Sequence, residues 1–262
     1  MQLSSGFTSS LARCWRTRHE EESMKTDLHA FDLRQIPMLL RGEVNANGRW
    51  LDPPDGRRAA LYIAVILAGA GLYGAAVGWW RSPLQAGYNA IKFPLIVLLT
   101  TLANALINGM FAPLLGLDLR FRQSLLAVLM SFTIAATILG SFSPVVLFIV
   151  WNTPPLGTDP AVSAGAHSFL LVSQVALIAF AGVAGNLRLW QLLRQTGGSN
   201  VVAFKIMLAW LASNLFLGSQ ISWMLRPFIG APHLPVEFLR HDTCAGSFYE
   251  VLFSAVGRLL FE

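Results

Sequence analysis

Few residues in this 262-residue sequence stand in patterns that do chemistry. The sharpest is Gly69-Ala70-Gly71-Leu72-Tyr73-Gly74, which fits the G-x-G-x-x-G of dinucleotide sites. That fingerprint needs a strand before the glycines and an acidic residue about 20 positions after them. Here the glycines lie in an apolar run, and neither Asp nor Glu occurs between Gly74 and Leu117. A mechanical role suits them better. Gly71, Gly74 and Gly78 share one helical face, where a second helix can approach until dispersion and Cα–H···O contacts accumulate. Gly182 and Gly185 offer a similar packing surface.

His241, Asp242 and Cys244, with His233 and Glu237 nearby, are the densest group of ligand-capable side chains. Their spacing matches no standard zinc arrangement. The sequence also lacks the nucleophile elbow G-x-S-x-G, the zinc helix H-E-x-x-H and the phosphate loop G-x-x-x-x-G-K-[ST]. The expectation is therefore a non-enzymatic protein with no catalytic residue, no metal and no cofactor. One basic residue has a distinctive setting. In Trp223-Met224-Leu225-Arg226-Pro227-Phe228, the proline forces Arg226 out of helical geometry at the end of an apolar run. Its guanidinium is a candidate lipid-phosphate contact, against the plainer reading of a helix stop with a snorkelling arginine.

Polar residues inside apolar runs are the remaining candidates. Thr101, Asn104 and Asn108 fall on one face of a helix, and Ser213, Asn214 and Gln220 lie in another. An amide left unpaired in hydrocarbon costs roughly 4 to 8 kcal/mol on a cyclohexane scale. Each must face another helix or a wet cavity. Hydrogen bonds between helices are the bland account, and a polar path for a solute or lipid is the sharp one. Lys205 and His167 sit at the ends of runs and Lys92 just before one, so no ionisable group is expected at depth. A proton relay or ion-coupled pump would need one.

The elements that position these residues follow from composition. Hydrophobic residues make up 54% of the chain and charged residues only 13%. So little charge could not cover a water-soluble surface, and lipid must replace water around much of the molecule. Five apolar runs are each long enough to cross a bilayer: Ala59 to Trp80, Phe93 to Leu115, Ser124 to Val150, Gly165 to Leu187 and Phe204 to Leu225. Trp79, Trp80, Trp151, Trp190 and Trp223 mark run ends, where indoles prefer the headgroup level, whereas Trp210 reads as a packing residue. The fold expected is all-α, a polytopic membrane bundle of about five helices with amphipathic N- and C-terminal segments. Residues 1–58 would form a partly disordered N-terminal region, 59–225 the bundle and 226–262 a final segment.

Nine basic residues near run ends lie on the N-terminal side and five on the other, which predicts a cytoplasmic N-terminus and an extracytoplasmic C-terminus. Cys14 and Cys244 then fall on opposite sides and cannot pair. Leu28 to Leu40 reads as an interfacial helix restarted at Pro37. Ser247 caps a last helix whose Glu250, Ser254 and Arg258 recur every fourth position, as in a helix lying on a surface. The net charge of +5 suits anionic headgroups rather than nucleic acid, since no basic recognition helix or aromatic platform accompanies it.

Around the second and third runs the sequence resembles Yip1-domain membrane proteins, and more closely their bacterial relatives. The residues concerned are Ala90-Ile91-Lys92-Phe93-Pro94-Leu95, Leu115-Gly116-Leu117, Phe121-Arg122-Gln123-Ser124-Leu125 and Ser143-Pro144-Val145. The resemblance implies a five-span bundle with a cytoplasmic N-terminal region, in a bacterium at the inner membrane. Eukaryotic Yip1 proteins act in vesicle traffic and bind small GTPases. Their Asp-Leu-Tyr-Gly-Pro motif is absent here, so GTPase binding does not carry over.

Two functions remain open from sequence. One is a membrane scaffold or accessory protein, partnered by lipids and by another membrane protein or a second copy of itself. The other is a passive channel or carrier for a neutral small solute or lipid, working along Thr101, Asn104, Asn108, Asn214 and Gln220.

Overall fold

A computed structural model describes residues 56–114, 121–155, 157, 159–196, 200–225, 229, 235–239 and 246–261. Among them the chain is entirely helical. The helices are α1 (Gly56–Gly78), α2 (Pro83–Leu114), α3 (Phe121–Asn152), α4 (Pro160–Thr196), α5 (Asn200–Met224) and α6 (Phe248–Phe261). The first four are long and apolar enough to cross a membrane, the architecture of a multi-pass membrane protein. The expected interfacial helix at Leu28 to Leu40, Arg226, and the cluster His233, His241, Asp242 and Cys244 all lie outside the described residues.

Local signals set the helix starts. Ser82 caps α2, accepting a hydrogen bond from the backbone N–H of Gln85 at 3.1 Å. Pro83 occupies the first helical position, where its missing N–H costs nothing. Asp159 and Pro160 repeat the device at α4, with the Ala161 N–H donating to the Asp159 carboxylate at 2.9 Å. Ser247 and Glu250 form a reciprocal capping box at α6. At its other end α4 is described as far as Thr196, and the glycine stop expected at Gly197-Gly198 lies outside the described residues.

Helix α3 is the centre of the bundle. Its Leu126, Leu129, Met130, Ile134, Leu139, Val146 and Val150 pack in one core with Tyr62, Ile66, Ala70, Tyr73 and Val77 of α1. Those α1 positions recur every three or four residues, so one stripe is buried while Leu67 and Leu72 face outward. Three hydroxyls of α3 are absorbed by its own backbone: Thr133, Thr137 and Ser141 each donate to the carbonyl four residues earlier at 2.8 Å. In lipid that internal satisfaction is what lets a hydroxyl be buried without a partner helix. Large apolar residues of α4 and α5, among them Phe180, Val183, Leu187, Leu208, Leu215 and Phe216, are exposed, as lipid-facing surfaces are.

Glycines bring α1 against its neighbours. A side-chain carbon at Gly74 would strike the backbone carbonyl of Asn89, and one at Gly78 would lie 2.7 Å from that of Gln85. Gly71 is looser, 3.2 Å from the Ala90 carbonyl oxygen. Gly185 of α4 rests on Ser131 of α3, where an added carbon would lie 2.5 Å from the carbonyl oxygen. Gly182 packs against no other described helix: open space surrounds it on the outer side of α4. The closest meeting of α1 and α3 is made instead by Gly69 and Gly140, which the G-x-x-x-G pattern does not single out.

The bundle end that carries the α1–α2 turn is tied together. Trp80 donates its indole N–H to the Pro154 carbonyl at 3.0 Å, and its ring lies 6.4 Å from that of His167. Ile229, in the connection after α5, is buried in the main core, so that connection folds back over this end. Trp79 and Trp151 are exposed there, whereas Trp210 is buried between helices as a packing residue.

Candidate functional site

One face of α2 is buried, and it is polar over most of its length, with Ile96 as an apolar break. Gln85, Asn89, Lys92, Thr100, Thr101, Asn104 and Asn108 are each at most 3% exposed, with Ile96 between them. Their spacing of three or four residues makes a continuous stripe. From Gln85 to Asn108 it runs about 35 Å at 1.5 Å per residue, longer than a hydrocarbon core of about 30 Å. Opposite it, Leu84, Ile91, Leu95, Leu99, Leu102 and Leu106 are exposed. The helix is thus apolar where lipid meets it and polar where protein does.

Lys92 overturns the expectation that no ionisable residue lies at depth. Helix α2 begins at Pro83, ten residues before the run placed at Phe93, and Lys92 stands about 14 Å inside it. Averaged hydropathy ends the run too late because Gln85, Asn89 and Lys92 all turn inward, away from lipid. The lysine is wholly buried, with its ammonium 4.9 Å from the ring centroid of Phe238. That ring also meets Tyr88 edge-on at 5.4 Å. Phe238 belongs to the connection between α5 and α6, which therefore caps the stripe at one end. Nearer the start of α2, Gln85 donates to the Asn89 side-chain oxygen at 3.1 Å.

Further along, α5 runs antiparallel to α2. Thr100 faces Gly218, and the Asn104 amide donates to the side-chain oxygen of Asn214. Thr101 turns its hydroxyl onto the Val97 carbonyl at 2.7 Å. The same four-residue step on both helices brings Trp210 to the level of Asn108. There the Asn108 amide group and oxygen and the Trp210 indole N–H are buried with no hydrogen-bond partner among the described residues. Such groups exact the full desolvation cost unless a water or solute meets them.

Thr101, Asn104, Asn108 and Asn214 are thus brought together between α2 and α5. Gln220 is not: it is exposed on the outer side of α5, because the sixth residue past Asn214 stands about 120° from it around the helix. Sequence reading missed Gln85, Asn89, Lys92 and Thr100. The signal that finds them is the Ser82 cap followed by Pro83, which starts the helix early enough to include them.

Among the described residues no group of three or more His, Cys, Asp or Glu side chains converges as metal ligands would. No protein-family description matches the chain, and no curated protein or solved structure is significantly similar to it.

Proposed function

We propose that this chain is a non-enzymatic multi-pass membrane protein that passes or carries a small neutral polar solute along the polar face of α2. The observation that carries this reading is the buried stripe from Gln85 to Asn108, polar on both sides of Ile96, with polar atoms at Asn108 and Trp210 that meet no hydrogen-bond partner among the described residues. Polar and ionisable residues within spans are costly and are retained where they line substrate paths. Asparagine and threonine offer both donors and acceptors to an uncharged solute. Lys92 sets the sign of selection, since a fixed positive charge beside a narrow path repels cations.

In this reading α5 is a fifth crossing, its 25 residues falling on the fifth apolar run. With the buried Lys92 set aside, nine basic residues stand against four, which supports a cytoplasmic N-terminus, and a bacterial inner membrane is the setting we propose. The scaffold reading and kinship with Yip1-domain proteins rest on a different observation. Gly182, open on the outer side of α4 among Phe180, Val183 and Leu187, is a place where a helix of another membrane protein or a second copy could approach.

Osmotic swelling of liposomes carrying the full chain tests the first reading, with urea and glycerol as probes. Passage requires swelling faster than in empty liposomes, and loss of the gain in Asn104→Leu with Asn108→Leu. Swelling at the rate of empty liposomes would sink it and leave the scaffold reading.

A further inference from the structure

Helix α6 crosses α4 instead of running beside it. Its residues from Glu250 to Arg258 line a cleft whose facing wall is only His167, Ser168 and Leu171 of α4. About 12 Å of α6 thus meets about 6 Å of α4 at 1.5 Å per residue, so the two axes cross steeply. Because α4 is long and apolar enough to cross a membrane, α6 lies near the membrane plane. Indoles give its level. A side-chain carbon at Gly246, just before α6, would lie 3.1 Å from the Trp223 ring at the end of α5. His167, at the crossing, has its ring 6.4 Å from that of Trp80. Both tryptophans stand at the ends of apolar runs, where indoles prefer the headgroup level.

At about 100° per residue, α6 has three faces about a third of a turn apart. Phe248, Leu252 and Ala255 make the first, where Ala255 is buried and the other two are half-buried. Glu250, Ser254 and Arg258 make the second, and Arg258 donates to the Ser168 hydroxyl of α4 at 3.5 Å. Tyr249, Phe253 and Leu260 make the third, which no described residue covers: Phe253 is 72% exposed and Leu260 71%. The four-residue period of the polar residues accounts for a wet side alone. A helix held sideways against a spanning helix, with water on one flank and hydrocarbon on the other, needs all three faces in this arrangement.

We propose that Tyr249, Phe253 and Leu260 are seated among lipid acyl chains just beneath the headgroups, which makes α6 an in-plane anchor in the leaflet beside the α1–α2 turn. The 14 residues of α6 reach about 21 Å, too short for a hydrocarbon core of about 30 Å, so its open apolar face meets lipid only sideways. That face continues a surface which α4 already gives to lipid, since Phe169, at the level of the crossing, and Val162 are exposed. The second face turns its charged groups away from the core, as amphipathic helices in the interface do. The placement is independent of any passage of solute along α2.

Nitroxide labelling of the full chain in liposomes of phosphatidylethanolamine and phosphatidylglycerol tests this, with Cys14 and Cys244 replaced by serine. Labels at Phe253→Cys and Leu260→Cys should collide more often with oxygen than with a water-soluble nickel chelate, at a depth of about 5 to 10 Å. A label at Ser254→Cys should show the reverse ratio. Leu260→Cys reads the same face should Phe253→Cys fail to fold. Chelate collisions prevailing on the Phe253 and Leu260 side would place that face in water and overturn the proposal. Exclusion of oxygen and chelate alike would overturn it too, by showing a second copy or another protein over the face.

Discussion

The Asn104 side chain on α2 donates a hydrogen bond to Asn214 on α5, joining residues 110 positions apart in the chain. Between helices in lipid such bonds are worth about 0.6 to 1.7 kcal/mol by double-mutant cycle. Asn104→Ala and Asn214→Ala should each lower stability, and the pair together should lose less than the sum. Thermal unfolding in detergent micelles measures this, and strictly additive losses would mean that the two amides do not interact.

Gly74 and Gly182 predict opposite outcomes for one chemical change. An added methyl at Gly74 meets the Asn89 backbone, which cannot move without shifting α2. Gly74→Ala should therefore cost about 1 to 3 kcal/mol, as overpacking does. Gly182→Ala enters open space and should leave the melting temperature of the isolated chain nearly unchanged. Fluorescence-detected size exclusion after a heat step reads both. Equal losses would contradict the placement of α1 against α2.

Trp80→Phe keeps the ring and removes the indole N–H that reaches Pro154. The expected loss is about 1 kcal/mol, the net worth of one neutral hydrogen bond. It should appear as faster amide exchange in the α3–α4 connection, with the core of α3 unaffected. Unchanged exchange there would show that the turn is held by packing alone.

Phe238 covers Lys92, so removing the ring should open the stripe to water. With Lys92→Cys placed in a chain free of its own cysteines, a membrane-impermeant thiol reagent should label slowly. Adding Phe238→Ala should speed labelling. Separately, Phe238→Ala with the lysine kept should cost about 0.5 to 2 kcal/mol through the lost cation–π contact. Labelling that is fast with the ring in place would rule out Phe238 as the cap.

Much of the bundle was legible because hydropathy and helical length report on lipid directly. The runs from Ala59, Phe93, Ser124 and Gly165 all became helices long and apolar enough to cross a membrane. The limits of α2 were not legible from hydropathy, which averages over all faces and cannot tell a polar residue facing water from one facing a neighbouring helix. Lys92 looked like a boundary for that reason. Its true setting was recoverable only from Ser82 and Pro83, a local capping signal. The pairing of Asn104 with Asn214 was expected as a type of contact, yet its register depends on how α2 and α5 slide past each other, which no single helix encodes. Gly182 and Gly185 look alike in sequence, and only the side from which α3 approaches separates them. For α6 the four-residue period of Glu250, Ser254 and Arg258 was visible, but not that α4 would supply the facing wall.

The ring over Lys92 also imposes an order on biogenesis. Phe238 is 146 positions downstream of the lysine it covers, near the end of the chain. A ribosome that has delivered α2 to the membrane must still make three helices before that aromatic exists. Helix α2 must therefore wait, held by its glycine contacts to α1, with its basic residue uncovered. The second helix is completed only then, by a residue that belongs to none of the helices.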